Sequence, residues 1–271
     1  NIFNYGYDKL NRLETAATTV GVPMSEALTY DVMGNIKSLN RDNAGIKTYN
    51  YDSGNRLKDI SSLTLRDYEY DANGNATTDG RNGATLTYNY LNLPQTANVP
   101  GMGTVAYTYD AMGQKLRKQN SITGVITDYV AGIHYISNNI AFIQTEEGRA
   151  VNSSGTYIYE YTLADHLGNS RVNFYFNNSS QQLQPIQRDD YYAFGKQFSN
   201  TPGTNLYLYN GKEKQDELGG DYDYGARFYD AEIGRWTTID PLSYIYYSLS
   251  PYNYVANNPI KYIDPDGKKI I

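Results

Sequence analysis

Apolar and aromatic residues alternate with polar ones in short bursts along the chain. Leu86-Thr87-Tyr88-Asn89-Tyr90 and Val105-Ala106-Tyr107-Thr108-Tyr109 are two of them. A period of two, carried by aromatic and β-branched side chains, predicts strands. Bursts are followed by turns rich in Gly and Asn: Val32-Met33-Gly34-Asn35, Ser53-Gly54-Asn55, Ala72-Asn73-Gly74-Asn75 and Ala111-Met112-Gly113. Gly and Asn accept the positive φ that tight hairpin turns require. A second run then begins, as at Asn55-Arg56-Leu57 and Gln114-Lys115-Leu116. Each unit therefore reads as a β-hairpin.

The hairpins are copies of one another. Tyr7-Asp8, Tyr30-Asp31, Tyr51-Asp52, Tyr70-Asp71 and Tyr109-Asp110 mark them, with Tyr90-Leu91 read as a copy that has lost its Asp. The period is near twenty residues, which predicts one supersecondary unit repeated side by side. Such a unit cannot bury its apolar face alone, so the array is the folding object. The Asp side chains are expected to fold back on turn amides. A calcium site needs several convergent oxygens, and this spacing supplies one carboxylate per hairpin, so no metal site is expected.

From about Ile122 the rhythm changes. Residues 1–121 read as the hairpin array and 122–271 as a second region. Strands are expected around Asp128–Gly132, Ile140–Ile143 and Tyr157–Tyr161, with polar loops at Glu146–Thr156 and Asn177–Gln184. Helix is expected only in short turns, one of them near Ser243–Leu249. The expected fold class is all-β, a single curved strip of consecutive hairpins.

Composition narrows the functions. Tyr is the outlier at 30 residues against seven Phe and one Trp. Tyr buries its ring while keeping its hydroxyl hydrogen-bonded or wet, which suits a sheet around a large interior. A formal net charge of −6 without a basic stripe argues against nucleic acid as a partner. With no Cys, disulfides, thiolate metal sites and Cys nucleophiles are excluded. His134 and His166 are the only histidines and lack metal-ligand spacing. No apolar run reaches membrane-spanning length, so no direct membrane span is expected. The chain opens at Asn1 in mid-repeat, which reads as a fragment of a longer protein with an open sheet edge that needs covering.

The last seventy or so residues carry the most specific pattern. They contain Tyr222-Asp223-Tyr224-Gly225-Ala226-Arg227-Phe228-Tyr229-Asp230, then Gly234-Arg235-Trp236, Asp240-Pro241, Pro251-Tyr252-Asn253-Tyr254-Val255, Asn257-Asn258-Pro259 and Ile263-Asp264-Pro265-Asp266-Gly267. This resembles the core domain of Rhs (YD-repeat) proteins. Asp165-His166-Leu167-Gly168 resembles a further motif of that family, and the upstream Tyr-Asp copies resemble its repeats. The closing loop is similar to the form found in Bacteroidetes-type bacteria.

The resemblance implies a β-cocoon shell closed by a core plug, with residues 1–121 as repeats and 122–271 as the repeat-associated core. It also implies a large secreted or cell-surface protein that encapsulates and delivers a C-terminal effector or toxin. Its partners would be the rest of its own longer chain, that effector segment and a secretion machinery. In many members the core is an aspartyl protease acting only on its own tail. Transferred here, the catalytic candidates are Asp240 and Asp264, Arg235 is the residue expected to tune the pair or order its loop, and the cut falls between Lys268 and Lys269. No cofactor is implied. The chain departs from the family pattern at Leu242-Ser243 after the first Asp-Pro, and at Lys268, where the family usually has Leu. Two carboxylates brought together share a proton, which suits water activation and carbonyl polarisation. Asp-Pro is also a common turn former, so capping remains the alternative for both residues. The alternative function is a surface adhesion or carbohydrate-interaction protein without a toxin.

Overall fold

The computed structural model covers residues 1–271. All regular structure is antiparallel β, apart from four short 3-10 turns at Tyr209–Gly211, Asp216–Leu218, Ser243–Ile245 and Val255–Asn257. Strand order in space follows strand order in sequence. Six strands from Ile2–Tyr7 to Leu57–Ile60 form one sheet, and fourteen from Glu69–Tyr70 to Gln197–Thr201 form the next. Four short strands between Glu213–Gln215 and Arg235–Trp236 form a third sheet.

The hairpin turns follow one rule. Asp31 Oδ1 accepts the amides of Met33 and Asn35, Asp52 those of Gly54 and Arg56, and Asp71 those of Asn73 and Asn75. Asp8, Asp110 and Asp165 do the same two and four residues on. The residue three past each cap sits in the left-handed region. Gly34 has φ 76° and Gly113 φ 85°, and Asn fills the position at Asn11 (φ 59°) and Asn55 (φ 62°). This is the three-residue hairpin loop closed by an αL residue. The copy without Asp is corrected here. Its cap is Asn89, whose Oδ1 accepts the amides of Leu91 and Leu93. The repeat unit is therefore Tyr88-Asn89, because an amide oxygen accepts the same two bonds as a carboxylate.

Four Tyr residues at the last strand position before a turn share a further bond. The hydroxyls of Tyr30, Tyr51, Tyr88 and Tyr191 donate to the carbonyls of Leu13, Ile36, Ala76 and Ser170. Each acceptor lies five residues after the cap of an earlier hairpin. Tyr thus ties neighbouring hairpins together, a bond Phe cannot make. Tyr109 departs from this, since its buried hydroxyl has no partner.

The strip is interrupted once. Ser61–Asp67 leaves the ladder, Ser62 takes φ 58°, and Leu63 packs into the core. A bond from Tyr68 N to Lys58 O (2.7 Å) crosses the break. Placing Leu63 inward requires a coil there, which local alternation does not reveal. Strand pairing is otherwise unbroken, including across residue 122, where Lys115–Asn120 pairs with Ile126–Val130.

The C-terminal block fills the concave side. Its core cluster joins Leu13, Leu28, Ile36, Leu39, Leu57 and Ile60 of the first sheet to Tyr209, Tyr222, Tyr229, Trp236 and Tyr254. Polar contacts follow the strip in order. Arg41 bonds Glu232, Arg81 bonds Asp230, Lys115 bridges Glu213 and Asp223, Arg149 bonds Thr204, and Asn173 receives Asn205. Ala193 N donates to Glu26 Oε2, joining the far end of the strip to its beginning. His134 lies between Phe142 (centroids 4.2 Å, stacked) and Tyr207, whose hydroxyl is 3.2 Å from Nε2.

Two outcomes follow from these bonds. Asp71→Ala loses both turn amides and should lower stability by about 0.5–2 kcal/mol, with an unchanged urea m-value. Asp71→Asn should retain most of it, as Asn89 does natively. Burial lowers the His134 pKa to about 4. A depressed imidazole pKa leaves its stability present above the unfolded value near 6.5 and lost as pH falls towards 4, on the order of 3 kcal/mol when complete. His134→Phe should remove that part of the acid loss, measured by urea unfolding at pH 7 and pH 4.5.

Candidate active site

Asp240 and Asp264 lie on different loops of the C-terminal block, and folding brings them to one cation. Arg227 Nη2 is 3.0 Å from Asp240 Oδ2 and 3.0 Å from Asp264 Oδ2. A shared nitrogen at that distance keeps the two oxygens within about 6 Å of each other. Arg227 is fixed on its other sides. Nε donates to Gly267 O at 2.6 Å, and the guanidinium lies over the Trp236 ring at 4.0 Å. It is 1% exposed, as is Asp264. Its position follows from Phe228–Asp230, the strand it precedes, which pairs with both Asp221–Asp223 and Arg235–Trp236.

The carboxylates have different surroundings. Asp240 Oδ1 accepts the amide of Leu242 at 2.7 Å. Burial raises its pKa, Arg227 and the Leu242 amide oppose that, and the Asp264 charge adds to it. Asp264 Oδ1 accepts the amides of Lys268 (2.9 Å) and Lys269 (3.2 Å). The nitrogen of the expected scissile bond therefore touches this carboxylate. The loop before it is held at successive carbonyls: Lys212 reaches Pro265 O, Ala226 N reaches Asp266 O, and Arg227 reaches Gly267 O. The Lys268 and Lys269 side chains are exposed.

Arg235 lies elsewhere. Its guanidinium bonds Asn35 Oδ1 (2.9 Å) and Asn55 O (2.7 Å) and stacks on Tyr51 and Tyr252. It ties the block to two hairpin turns of the array, and Arg227 takes the position expected of it. The expectation that Arg235 tunes the aspartate pair is thus corrected, since its guanidinium is held at the hairpin turns instead. Arg227 lies thirteen residues from Asp240, and its reach depends on strand pairing. His166 Nε2 meets Ile260 O at 3.3 Å.

A groove of about 540 Å³ runs beside the loop, lined on the array side by Leu91, Leu93 and Met112 and on the block side by Tyr224, Pro241 and Lys268.

The comparisons with known proteins agree with this architecture. The Teneurin YD-shell family model matches residues 3–129. The tRNA3(Ser)-specific nuclease WapA of Bacillus spizizenii is 27% identical over 96% of this chain and 12% of its own length. Teneurin-3 of Danio rerio is 25% identical over 96% of this chain and 10% of its own. Toxin subunit YenC1 of Yersinia entomophaga is 36% identical over 31% of this chain and 9% of its own. The crystal structure of TcdB2-TccC3 superposes with a TM-score of 0.79 at 22% identity, covering 98% of this chain and 16% of that one, a likeness of fold. This chain thus spans about an eighth or less of the length of these curated relatives.

Removing Arg227 leaves two buried carboxylates without their cation. Arg227→Ala should cost about 3–5 kcal/mol in urea unfolding. Arg227→Lys should recover part of it, since an ammonium has no planar fork to hold both oxygens and Gly267 O together.

Proposed function

From the premise that this chain belongs to the Rhs (YD-repeat) family, we propose that it is part of the shell and plug of a large secreted protein that encloses and delivers a C-terminal effector. The observation that carries the reading is the order of contacts between strip and C-terminal block. From Asn11 through Asn55, Arg81 and Lys115 to Asn173, the strip meets the block along its inner side, so the block acts as a plug inside the curve. The WapA nuclease and the YenC1 toxin subunit are relatives in which such a carrier role fits the name. Residues 1–121 serve as repeats and 122–271 as core, a division of sequence grammar at a point where strand pairing continues.

The finer part of the proposal is self-cleavage between Lys268 and Lys269. Asp264, paired with Arg227, takes a proton from water as the water oxygen adds to the Lys268 carbonyl carbon. Asp240, whose carboxyl burial favours in its protonated form, supplies the proton that stabilises the carbonyl oxygen. Asp264 then gives its proton to the Lys269 nitrogen, 3.2 Å away. The C–N bond breaks, leaving a Lys268 carboxyl and a Lys269 amine, and Asp240 recovers its proton as the carbonyl reforms. Being part of the same chain, the substrate is held at very high effective concentration.

Intact-mass measurement of the protein as encoded tests this. Wild type should be cut after Lys268, and Asp240→Asn and Asp264→Asn should stay whole. The rate should fall as pH rises through the raised Asp240 pKa, because the protonated form is then lost. Equal masses in all three proteins would reduce both residues to turn caps and leave the carrier role standing.

A further inference from the structure

The segment just after the expected cut is docked. Ile263 and Ile271 exchange backbone hydrogen bonds (3.1 and 2.9 Å), which turns the chain back on itself after Gly267. Ile270 N donates to the Tyr246 hydroxyl at 3.1 Å. Among the last four residues only Ile270 is partly buried, packed against the main core, while Lys268, Lys269 and Ile271 are exposed. Its side chain borders a narrow pocket formed by Ser243, Tyr246, Leu249, Pro251 and Asn253, and Asp240 lines the same pocket. About 10 Å³ of space remains, roughly one water, and Asn253, which also lines it, has a buried Oδ1 without a hydrogen-bond partner.

The pocket is tied to the rest of the fold. Asp240 N donates to Pro251 O, Leu249 N to Tyr246 O, and Ser250 N to Met33 O in a hairpin turn of the array. Ile270, two residues after Lys268, therefore borders the same pocket as the carboxylate-bearing Asp240.

We propose that Ile270 is the positioning residue that sets the Lys268–Lys269 peptide against the two aspartates, and that the Ser243–Asn253 turn is a pocket selective for a branched aliphatic side chain two residues past the cut. This rests on the self-cleavage reading. Three points fix the chain after Lys268: Asp264 on the amides, the Ile270 side chain in the pocket, and the Ile263–Ile271 pair. The amide contacts are common to any sequence without Pro there. The side chain supplies the selectivity, because Ile270 packs against the main hydrophobic core, where lost methylene groups loosen the seat and a charge is strongly disfavoured.

The test uses the protein as encoded, with whatever follows Ile271, and follows loss of Lys269 and all later residues by intact mass over time. Hydrogen exchange of the 264–271 segment is read on the same samples. Ile270→Val should cut within a few-fold of wild type. Ile270→Ala should be slowed at least tenfold and Ile270→Asp more than a hundredfold, with faster exchange across 268–271. Tyr246→Phe, which removes the hydroxyl from the Ile270 amide without emptying the pocket, should slow cutting less than Ile270→Ala. Conservative rescue by Val separates positioning from general destabilisation. If wild type is cut and Ile270→Asp is cut equally fast with unchanged exchange, the inference is overturned while the protease reading stands. If wild type itself stays whole, the protease reading fails and this inference falls with it.

Discussion

A β-strip one layer thick has an inner face that it cannot bury by itself, and that constraint governs this molecule. Neighbouring hairpins satisfy backbone groups sideways, yet nothing in the repeat covers Leu28, Leu39, Leu57 or Ile60. The chain solves this with its own C-terminal block, which brings Tyr209, Tyr229, Trp236 and Tyr254 into the curve as a mutually packed aromatic cluster. Aromatic rings bury large areas with few rotatable bonds, which suits a block that is mostly turns. The cost of a Tyr-rich core is a set of hydroxyls to satisfy. Several reach backbone oxygens, as Tyr229 does at Phe194 and Tyr252 at Gly74, Tyr224 and Tyr254 share Asn210 Oδ1, and those of Tyr68, Tyr109 and Tyr222 have no partner.

The same constraint explains the charged groups between strip and block. Arg81 between Asp221 and Asp230, Lys115 between Glu213 and Asp223, and Arg41 between Glu26 and Glu232 all join one layer to the other. Each places one cation among two acids, and losing the cation strands buried charge. Such contacts specify which part of the block faces which hairpin more than they add stability. The Asp240–Arg227–Asp264 group has the same form, with one difference that makes it a candidate for chemistry. Its second acid faces the amides of an exposed chain segment in addition to the interior.

What the sequence disclosed follows the range of each interaction. The turn caps were legible because Asp31, Asp52, Asp71 and Asp110 act within four residues, and the all-β strip followed from their period. The copy at Tyr88-Asn89 is hidden in the sequence because the bond needs only a side-chain oxygen at that place, not the Asp that marks the other copies. The break at Ser61–Asp67 and the role of Arg227 were hidden for a different reason. Both depend on partners outside any local window, since Leu63 packs into the core shared with the block and Arg227 reaches Asp264 37 residues on. Asp240 and Asp264 were found through family motifs, and their convergence on one guanidinium is a product of tertiary packing.

The choice between turn cap and catalyst at Asp264 turns on the fact that one geometry serves both. Its Oδ1 binds amides further along the chain, the grammar of Asp31 and Asp71 repeated at the end of the molecule. The ordinary caps differ in what surrounds them, since Asp52 and Asp71 have Arg56 or Asn75 on the second oxygen and no second acid. Asp264 has a buried Arg227 shared with a carboxyl whose protonated form burial favours. A cap becomes a candidate acid–base group when a proton-bearing partner is set beside it and the amide it holds belongs to a bond that water can approach. A repeat protein can in this way set one arginine and one further aspartate beside its own turn motif, without any new fold.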